Sequence, residues 1–159
     1  MTISIRSYCQ DDFAAVALLW RRAREETFPD FQRTKGHTFE EDCVYLRDEI
    51  LPNNQVWVAE LDGQCAGFMA QRGNFIDQLF VDPAYQRQGV GQAFLVQARQ
   101  LSPASLRLFT FQSNTKGRAF YEKNGFRPVK FGLSPPPENE PDVEYQWPQE
   151  TPARHSAGG

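Results

Sequence analysis

The sequence predicts a mixed α/β (α+β) fold that combines antiparallel and parallel strands, and three observations carry this prediction. Two alternating strands, 55–61 and 64–70, are joined at Asp62-Gly63, a dipeptide typical of two-residue antiparallel hairpins. Residues 75–111 have the pattern of a strand, a helix and a strand, which requires parallel strands and a right-handed crossover. The chain of 159 residues suits one domain with one core.

The first part of the chain predicts one strand and one helix, followed by a connector. Ile3 and Ile5 alternate with polar residues, as in a half-buried strand. A helix begins after Asp11 and Asp12, and its apolar residues follow helical spacing: Phe13, Val16, Trp20 and Ala23. After Phe28-Pro29-Asp30, a polar connector is predicted to run to Thr38.

A capping box predicts where the second helix begins. Thr38 and Glu41 can each satisfy a free backbone N–H group of the first turn. The helix is predicted to end at Pro52 and to bury four side chains: Phe39, Cys43, Leu46 and Ile50.

The remaining elements follow from turn signals and apolar stripes. After the turn at Gly73-Asn74 comes strand 75–81, and the helix behind the next turn carries an apolar stripe of Val90, Phe94, Ala98 and Leu101. Ser102-Pro103 breaks that helix. Then follow strand 106–111, helix 115–123 with a stop at Asn124-Gly125, strand 126–131, a proline-rich loop 132–141 and strand 143–147. The tail 148–159 is predicted to be disordered.

Composition excludes several classes of function. The net charge of -3 and the absence of a basic run argue against nucleic-acid binding. No apolar stretch approaches the roughly 18 residues that span a membrane, and the N-terminus has no signal-peptide layout. Cys9, Cys43 and Cys65 are odd in number and widely spaced, which argues against a disulfide framework and a zinc site. We therefore expect a reduced, cytoplasmic protein.

The most informative segment is the turn between strand 75–81 and the next helix, which ends in Gln86-Arg87-Gln88-Gly89-Val90-Gly91. Such a turn presents backbone N–H groups at a helix N-terminus, where an anion is stabilised. Gly89 and Gly91 lack Cβ atoms, so a phosphate can approach the main chain. The P-loop pattern fails because Gln92 and Ala93 follow, and the dinucleotide pattern fails because Phe94 occupies its third glycine position.

Two motifs together resemble those of the GCN5-related N-acetyltransferase (GNAT) superfamily. The first is Gln-x-x-Gly-x-Gly at 86–91, and the second is Asn-x6-Tyr-x-x-x-Gly-Phe at 114–126. They stand in the expected order, with one helix and one strand between them. The resemblance covers residues 2–147 and implies a single domain over 1–147. It also implies a mostly antiparallel sheet whose central parallel strand pair splays apart, with helices on both faces.

The resemblance further implies an acetyl-CoA-dependent N-acetyltransferase that moves an acetyl group directly to a primary amine of a small molecule or a protein. Acetyl-CoA would be the co-substrate, with no metal. A longer acyl donor remains open. By resemblance, the strand edge holds the pantetheine, a nearby bulge aims an N–H at the thioester oxygen, and the turn holds the pyrophosphate. The cofactor-binding residues so implied are Leu79, Phe80, Val81, Gln86, Arg87, Gln88, Gly89, Val90, Gly91 and Asn114. Asn114 has an equally good explanation as a helix N-cap.

Tyr121 is the candidate proton donor to the leaving thiolate. It follows Asn114 by seven residues, almost two helical turns, so the two lie on roughly the same face. A phenol with a pKa of about 10 is protonated at neutral pH. We expect Phe120 to be the core residue and Tyr121 to face the cleft.

The general base for the amine is less defined. Asp77 ranks first because alternation places it on the face of Leu79, near the thioester position. His37 in the connector, Glu25 and Glu26 at the end of the first helix, and a water relay are the alternatives.

The acceptor site is expected in 28–38 and in the loop 132–141. Three aromatic side chains could shape an apolar pocket there: Phe28, Phe31 and Tyr45. The acids Glu138, Glu140 and Asp142 add charge that favours a cationic amine, although a solvated loop is the preferred explanation for them.

Two other functions compete with the enzyme. A non-catalytic acyl-CoA-binding regulatory module would need the turn but no proton donor at Tyr121. A Rossmann-like nucleotide binder would require repeated βα units, which the hairpin at Asp62-Gly63 contradicts. An exposed edge strand near Val143 would support a homodimer.

Overall fold

The computed structural model describes residues 2–148 of the chain. Seven strands form one sheet in the order β1-β2-β3-β4-β5-β7-β6. The strands are β1 Ile3–Ser7, β2 Gln55–Leu61, β3 Gln64–Arg72, β4 Phe75–Val81, β5 Leu106–Phe111, β6 Arg127–Leu133 and β7 Pro141–Trp147. Every neighbouring pair is antiparallel except β4–β5, which is parallel. The predicted fold class is confirmed.

Helices cover both faces of this sheet. They are α1 Phe13–Thr27, α2 Pro29–Lys35, α3 Phe39–Tyr45, α4 Leu51–Asn53, α5 Val90–Leu101 and α6 Thr115–Lys123. A π-helical turn, Leu46–Ile50, joins α3 to α4. One core cluster lies between the sheet and α5 and α6, and a second lies between the sheet and α1 and α3. Within the described residues, no helix has the length and apolar character needed to cross a membrane.

The local signals of the sequence are present in the structure. Thr38 accepts a hydrogen bond from the Glu41 N–H at 3.1 Å, and the Glu41 carboxylate accepts one from the Thr38 N–H at 2.8 Å. Asp62 and Gly63 have φ angles of 52° and 82°, as the tight hairpin turn requires. The capping box and the hairpin are therefore confirmed.

The predicted connector between Asp30 and Thr38 is wrong over most of its length, because residues 29–35 form α2. Pro29 occupies the first helical turn, where its fixed φ favours the helix. Phe28 and Phe31 pack against Phe111, with ring centroids 5.0 and 5.3 Å away. A seven-residue segment is too short to be stable as an isolated helix, so this tertiary contact has to support it.

Two burial predictions are also wrong. Phe39 and Leu101 are exposed, whereas Leu95 is fully buried beside Phe94 in the α5 core. Phe39 begins its helix at the edge of the core and Leu101 ends its helix, so neither packs between layers.

The parallel pair is joined only at the N-terminal ends of its strands, where Phe75 pairs with Arg107. Beyond that pair no further register pairs link β4 and β5 along their described lengths. The strands therefore part towards their C-terminal ends and open a wedge in the middle of the sheet.

The prediction of an exposed edge near Val143 is wrong. Val143 lies on β7, which pairs with β5 on one side and with β6 on the other. The edge strands are β1 and β6, so a dimer through β7 has no free backbone to use. Most of the predicted tail, residues 149–159, lies outside the described residues.

Candidate active site

Two cavities open beside the splayed strands and adjoin one another. The turn cavity has a volume of about 670 Å³ and is lined by the end of β4, the turn before α5, the start of α5 and α6. The aromatic cavity has a volume of about 380 Å³ and is lined by α1, α2, β4, β5 and the loop before β7. Four residues line both cavities: Leu79, Phe80, Asn114 and Tyr121.

The first helix forms a partition between the two cavities. Trp20, Arg24 and Phe28 follow one another at intervals of four residues and line the aromatic cavity. Ala23, Glu26 and Thr27 line the turn cavity. The two sets form neighbouring stripes along the same helix, so one helix contributes a wall to each cavity.

The turn before α5 is held in place from its first residue. Asp82 is buried, its carboxylate accepts the Ala84 N–H at 3.1 Å, and it forms an ion pair with Arg22 of α1. The Gln86 side chain donates to the Val81 carbonyl and to Glu26. The backbone at Gly89 is left-handed, with a φ of 91°, and precedes the first residue of α5.

The N-terminus of α5 carries no side-chain cap. The first N–H groups of a helix have no partner within the helix, so those at the start of α5 are available to a ligand in the turn cavity. With the helix dipole, they form a site for an anion.

The two glycines of the turn are required for different structural reasons. Position 89 requires a glycine because its φ is positive, and residues that carry a side chain rarely adopt such a backbone angle. Gly91 is required by packing, because a Cβ there would lie 2.9 Å from the Phe120 ring of α6. Gly91 thus brings α5 and α6 close together at the floor of the turn cavity.

The structure gathers almost all of the predicted cofactor residues. The residues of that set that line the turn cavity are Leu79, Phe80, Val81, Gln86, Arg87, Gly89, Val90, Gly91 and Asn114. Gln88 is exposed and does not line it. Sequence reasoning missed Lys116 and Lys123, which line the same cavity from α6. Their spacing of seven residues, two helical turns, was the available signal.

A β-bulge interrupts β4 at Asp77. The register steps from Ala70 opposite Gln78 to Gln71 opposite Ile76, which leaves Asp77 without a partner on β3. Ile76 and Leu79 consequently both belong to the core beneath α5, although they are three residues apart. The bulge lies just before Leu79, close to where the resemblance implied one.

The bulge overturns the expected placement of Asp77. Asp77 accepts a hydrogen bond from Asn54, at the end of α4, at 3.0 Å and lies 3.6 Å from Arg72. These contacts place it on the sheet face opposite Leu79, because strict alternation does not survive a bulge. Asp77 still lines the aromatic cavity.

Tyr121 is more buried than expected, with 9% of its surface exposed, and belongs to the main core. Phe120 is only partly buried, so the expectation that Phe120 rather than Tyr121 is the core residue is wrong, although Tyr121 does border both cavities as expected. The Tyr121 hydroxyl has no hydrogen-bond partner within residues 2–148. Burial raises the pKa of Tyr121 above its usual value, so the phenol stays protonated at neutral pH.

Asn114 is an N-cap. Its side-chain oxygen accepts the Gly117 N–H at 3.0 Å, and its side-chain nitrogen donates to the Thr110 hydroxyl at 2.9 Å. Both ends of the amide are engaged in holding the start of α6 against β5. A contact with a pantetheine stays a prediction.

The aromatic cavity brings together the three predicted side chains Phe28, Phe31 and Tyr45. Trp20 stacks on Tyr45 with ring centroids 6.3 Å apart, and Arg24 lies 4.0 Å from the Trp20 ring centroid. Arg24 and Arg21 share the buried Asp42, at 2.6 and 2.9 Å. These contacts fix one wall of the cavity.

The alternative bases are divided between the two cavities. His37 lines the aromatic cavity, with its Nδ1 3.6 Å from Glu41. Glu26 lines the turn cavity. Glu25 lines neither cavity and is paired with Arg21 at 3.1 Å. Among these candidates only Asp77 and His37 border the aromatic cavity.

The two cavities have opposite charge. The ionised side chains of the turn cavity are Glu26, Arg87, Lys116 and Lys123. Those of the aromatic cavity are Arg24, Asp42, Asp77 and Glu138. Each set has three charges of one sign and one of the other, so the first suits an anion and the second a cation. The described residues contain no cluster of His, Cys, Asp and Glu able to hold a metal ion.

Comparisons with known proteins point to one family. A family model described as an acetyltransferase (GNAT) domain matches residues 52–128. The peptidyl-lysine N-acetyltransferase YjaB of Salmonella typhimurium is 31% identical over 128 residues, which cover 80% of this chain and 85% of that protein. The peptidyl-lysine N-acetyltransferase YiaC of Escherichia coli is 33% identical over 132 residues, covering 79% and 84%. The solution structure of apo YjaB from Escherichia coli is similar, with a TM-score of 0.78 and 27% identity, covering 92% of this chain and 98% of that one.

Proposed function

This chain belongs to the GNAT superfamily and is an acetyl-CoA-dependent acetyltransferase, and we propose that it transfers the acetyl group directly to the side-chain amine of a lysine. The observation that carries the proposal is the meeting of two oppositely charged cavities at Tyr121. The names of the two relatives support lysine as the acceptor.

Acetyl-CoA occupies the turn cavity in this proposal. The uncapped N–H groups of α5 and the Arg87 side chain hold the pyrophosphate. The pantetheine then runs along β4 towards Leu79 and Phe80, where the backbone beyond Phe75 is not paired with β5. This orientation brings the thioester to the residues that both cavities share.

A backbone N–H group of β4 near the bulge polarises the thioester carbonyl in this proposal. A bulge re-aims backbone and side-chain groups that regular pairing would fix. One preorganised N–H donor in a site closed to water lowers the barrier by roughly 3 kcal/mol.

Tyr121 assists departure of the thiolate. The elevated pKa of its phenol keeps the proton in place until the C–S bond breaks. The phenol then hydrogen-bonds the sulfur and gives it a proton, so that CoA leaves as the thiol. The proton that the amine nitrogen loses after its attack restores the phenol through water. Since the hydroxyl has no other partner in residues 2–148, it is free to turn towards the thiolate.

The acceptor enters from the aromatic cavity as a cation. A lysine amine has a pKa of about 10.4, so it must lose a proton before it attacks. Asp77 is our first candidate for the group that accepts this proton, directly or through water, and His37 is the second. The phenyl rings of Phe28 and Phe31 contact the methylene groups of the lysine.

The test of the proposed function is thiol release from acetyl-CoA with separate pools of lysine-bearing peptides, amino acids and polyamines. We expect release that depends on the peptide pool, together with a 42 Da mass increase on lysine per transferred acetyl group, about the mass of C2H2O. Binding of acetyl-CoA without release from any pool would contradict the proposal and favour a regulatory acyl-CoA-binding module.

The role of Asp77 can be separated from its ion pair with Arg72. Asp77→Asn should lower kcat by about 100-fold, in the range for loss of a general base, and leave the affinity for acetyl-CoA unchanged. Arg72→Gln removes the partner 3.6 Å away but keeps the carboxylate, and it should retain most of the activity. Equal loss in both variants would show that Asp77 acts through structure alone.

A further inference from the structure

Three cationic side chains line the turn cavity, and the pyrophosphate of CoA accounts for only some of them. Arg87 belongs to the turn, whereas Lys116 and Lys123 project from α6. All three are exposed, and none has an ion pair or a hydrogen bond within residues 2–148. CoA carries a third phosphate, on the 3′ position of its ribose, in addition to the pyrophosphate.

The position of each lysine along α6 indicates which part of CoA it faces. Asn114, the N-cap of α6, borders both cavities and so marks the reacting end. Phe120 is about 9 Å further along the helix axis, and its ring touches the start of α5 at Gly91. That contact marks the level of the pyrophosphate site.

Lys123 lies one further helical turn along α6, on the face of Phe120 and about 14 Å from Asn114 along the axis. CoA is linear, with the thiol, the pantetheine, the pyrophosphate and the ribose in that order. A group beyond the pyrophosphate level therefore faces the ribose end. Lys116 lies on the opposite side of this level, beside the pantetheine.

We propose that the Lys123 ammonium binds the 3′-phosphate of CoA, so that the enzyme distinguishes CoA from 3′-dephospho-CoA. The inference rests on the cofactor site of the proposed function and is independent of the acceptor. Lys123 is also in the last turn of α6, where a cation stabilises the helix dipole. A readout other than stability is therefore needed.

The test is the ratio of two dissociation constants, for CoA and for 3′-dephospho-CoA, measured by titration calorimetry without an acceptor. A charge-assisted contact at an exposed site predicts that the parent protein binds CoA about 5- to 10-fold more tightly. Lys123→Ala should bring this ratio close to one, because it weakens the binding of CoA and leaves the binding of 3′-dephospho-CoA unchanged. The preference of the parent should also shrink as salt is raised.

Two control variants separate this contact from general charge effects. Lys130→Ala removes an equal charge from β6, outside both cavities, and should keep the parental ratio. Lys116→Ala should weaken both ligands to the same extent. An unchanged ratio in Lys123→Ala, or equal binding of both ligands by the parent, would overturn the proposal. Failure of the proposed function is a separate result, in which CoA binds with the expected ratio but no acetyl group is transferred.

Discussion

The turn cavity and the aromatic cavity are built from different kinds of structure. The turn cavity depends on backbone: an uncapped helix N-terminus, a left-handed Gly89 and a tight helix contact at Gly91. The aromatic cavity depends on side chains contributed by separate segments, with Trp20, Tyr45 and Phe111 from a helix, a second helix and a strand. A site made of backbone groups suits a chemical group that many ligands share. The ligand preference of a site made of side chains can change when those side chains are substituted.

The difference has a functional consequence. The pyrophosphate and pantetheine are constant parts of the donor, so a site made of main-chain N–H groups needs few particular side chains. In the proposed function, the acceptor is recognised by the aromatic side chains and by the acids Asp77 and Glu138. Substitutions in one cavity should therefore change one ligand and spare the other, except at the residues that the cavities share.

The largest effect is expected at the shared residue Tyr121. Tyr121→Phe removes the proton donor and should lower kcat by about 100-fold, within the usual range for an acid–base group, while acetyl-CoA affinity changes less than about twofold. Steady-state thiol release and calorimetry measure the two quantities. Parental turnover in the variant would mean that the cavities do not meet at a reaction centre.

Tyr145→Phe is the matched control for this variant. Its hydroxyl also lies in the core region of α6, but it is bonded to Glu122 and Arg118 and lines neither cavity. We expect a lower melting temperature with an unchanged kcat.

A smaller effect, confined to the donor, is expected at Gly89. Gly89→Ala forces a side chain into a left-handed backbone, which costs about 1–2 kcal/mol, and should raise the KM for acetyl-CoA about tenfold as the turn relaxes. The KM for the acceptor should not change. Gly63→Ala, at a φ of 82° in the distant hairpin, should show a similar stability loss with no change in either KM.

The smallest effect is expected at Glu138, which lines only the aromatic cavity. Glu138→Gln should raise the KM for a lysine peptide about threefold, the value of a weak exposed charge contact, and leave the KM for acetyl-CoA unchanged. Glu49→Gln, an exposed acid outside both cavities, is the control. A change in the acetyl-CoA constant instead would contradict the division of charge between the cavities.

The sequence by itself determined the order of the strands and of every helix of nine residues or more. It also determined the hairpin at Asp62-Gly63, the capping box at Thr38 and the turn before α5. Each of these depends on residues within a few positions of one another, whose backbone preferences and side-chain hydrogen bonds act locally. The two GNAT motifs are local in the same sense, so most of the turn cavity could be predicted from them.

Only the tertiary structure decided how distant residues combine. The bulge at Asp77 depends on pairing with β3, helix α2 depends on packing against Phe111, and β7 became an interior strand because β6 pairs beyond it. The packing of α6 beside α5 decides that Tyr121 is buried and that Lys116 and Lys123 line the turn cavity. Local sequence patterns set the elements, whereas contacts between distant segments decide which faces meet and which groups a ligand can reach.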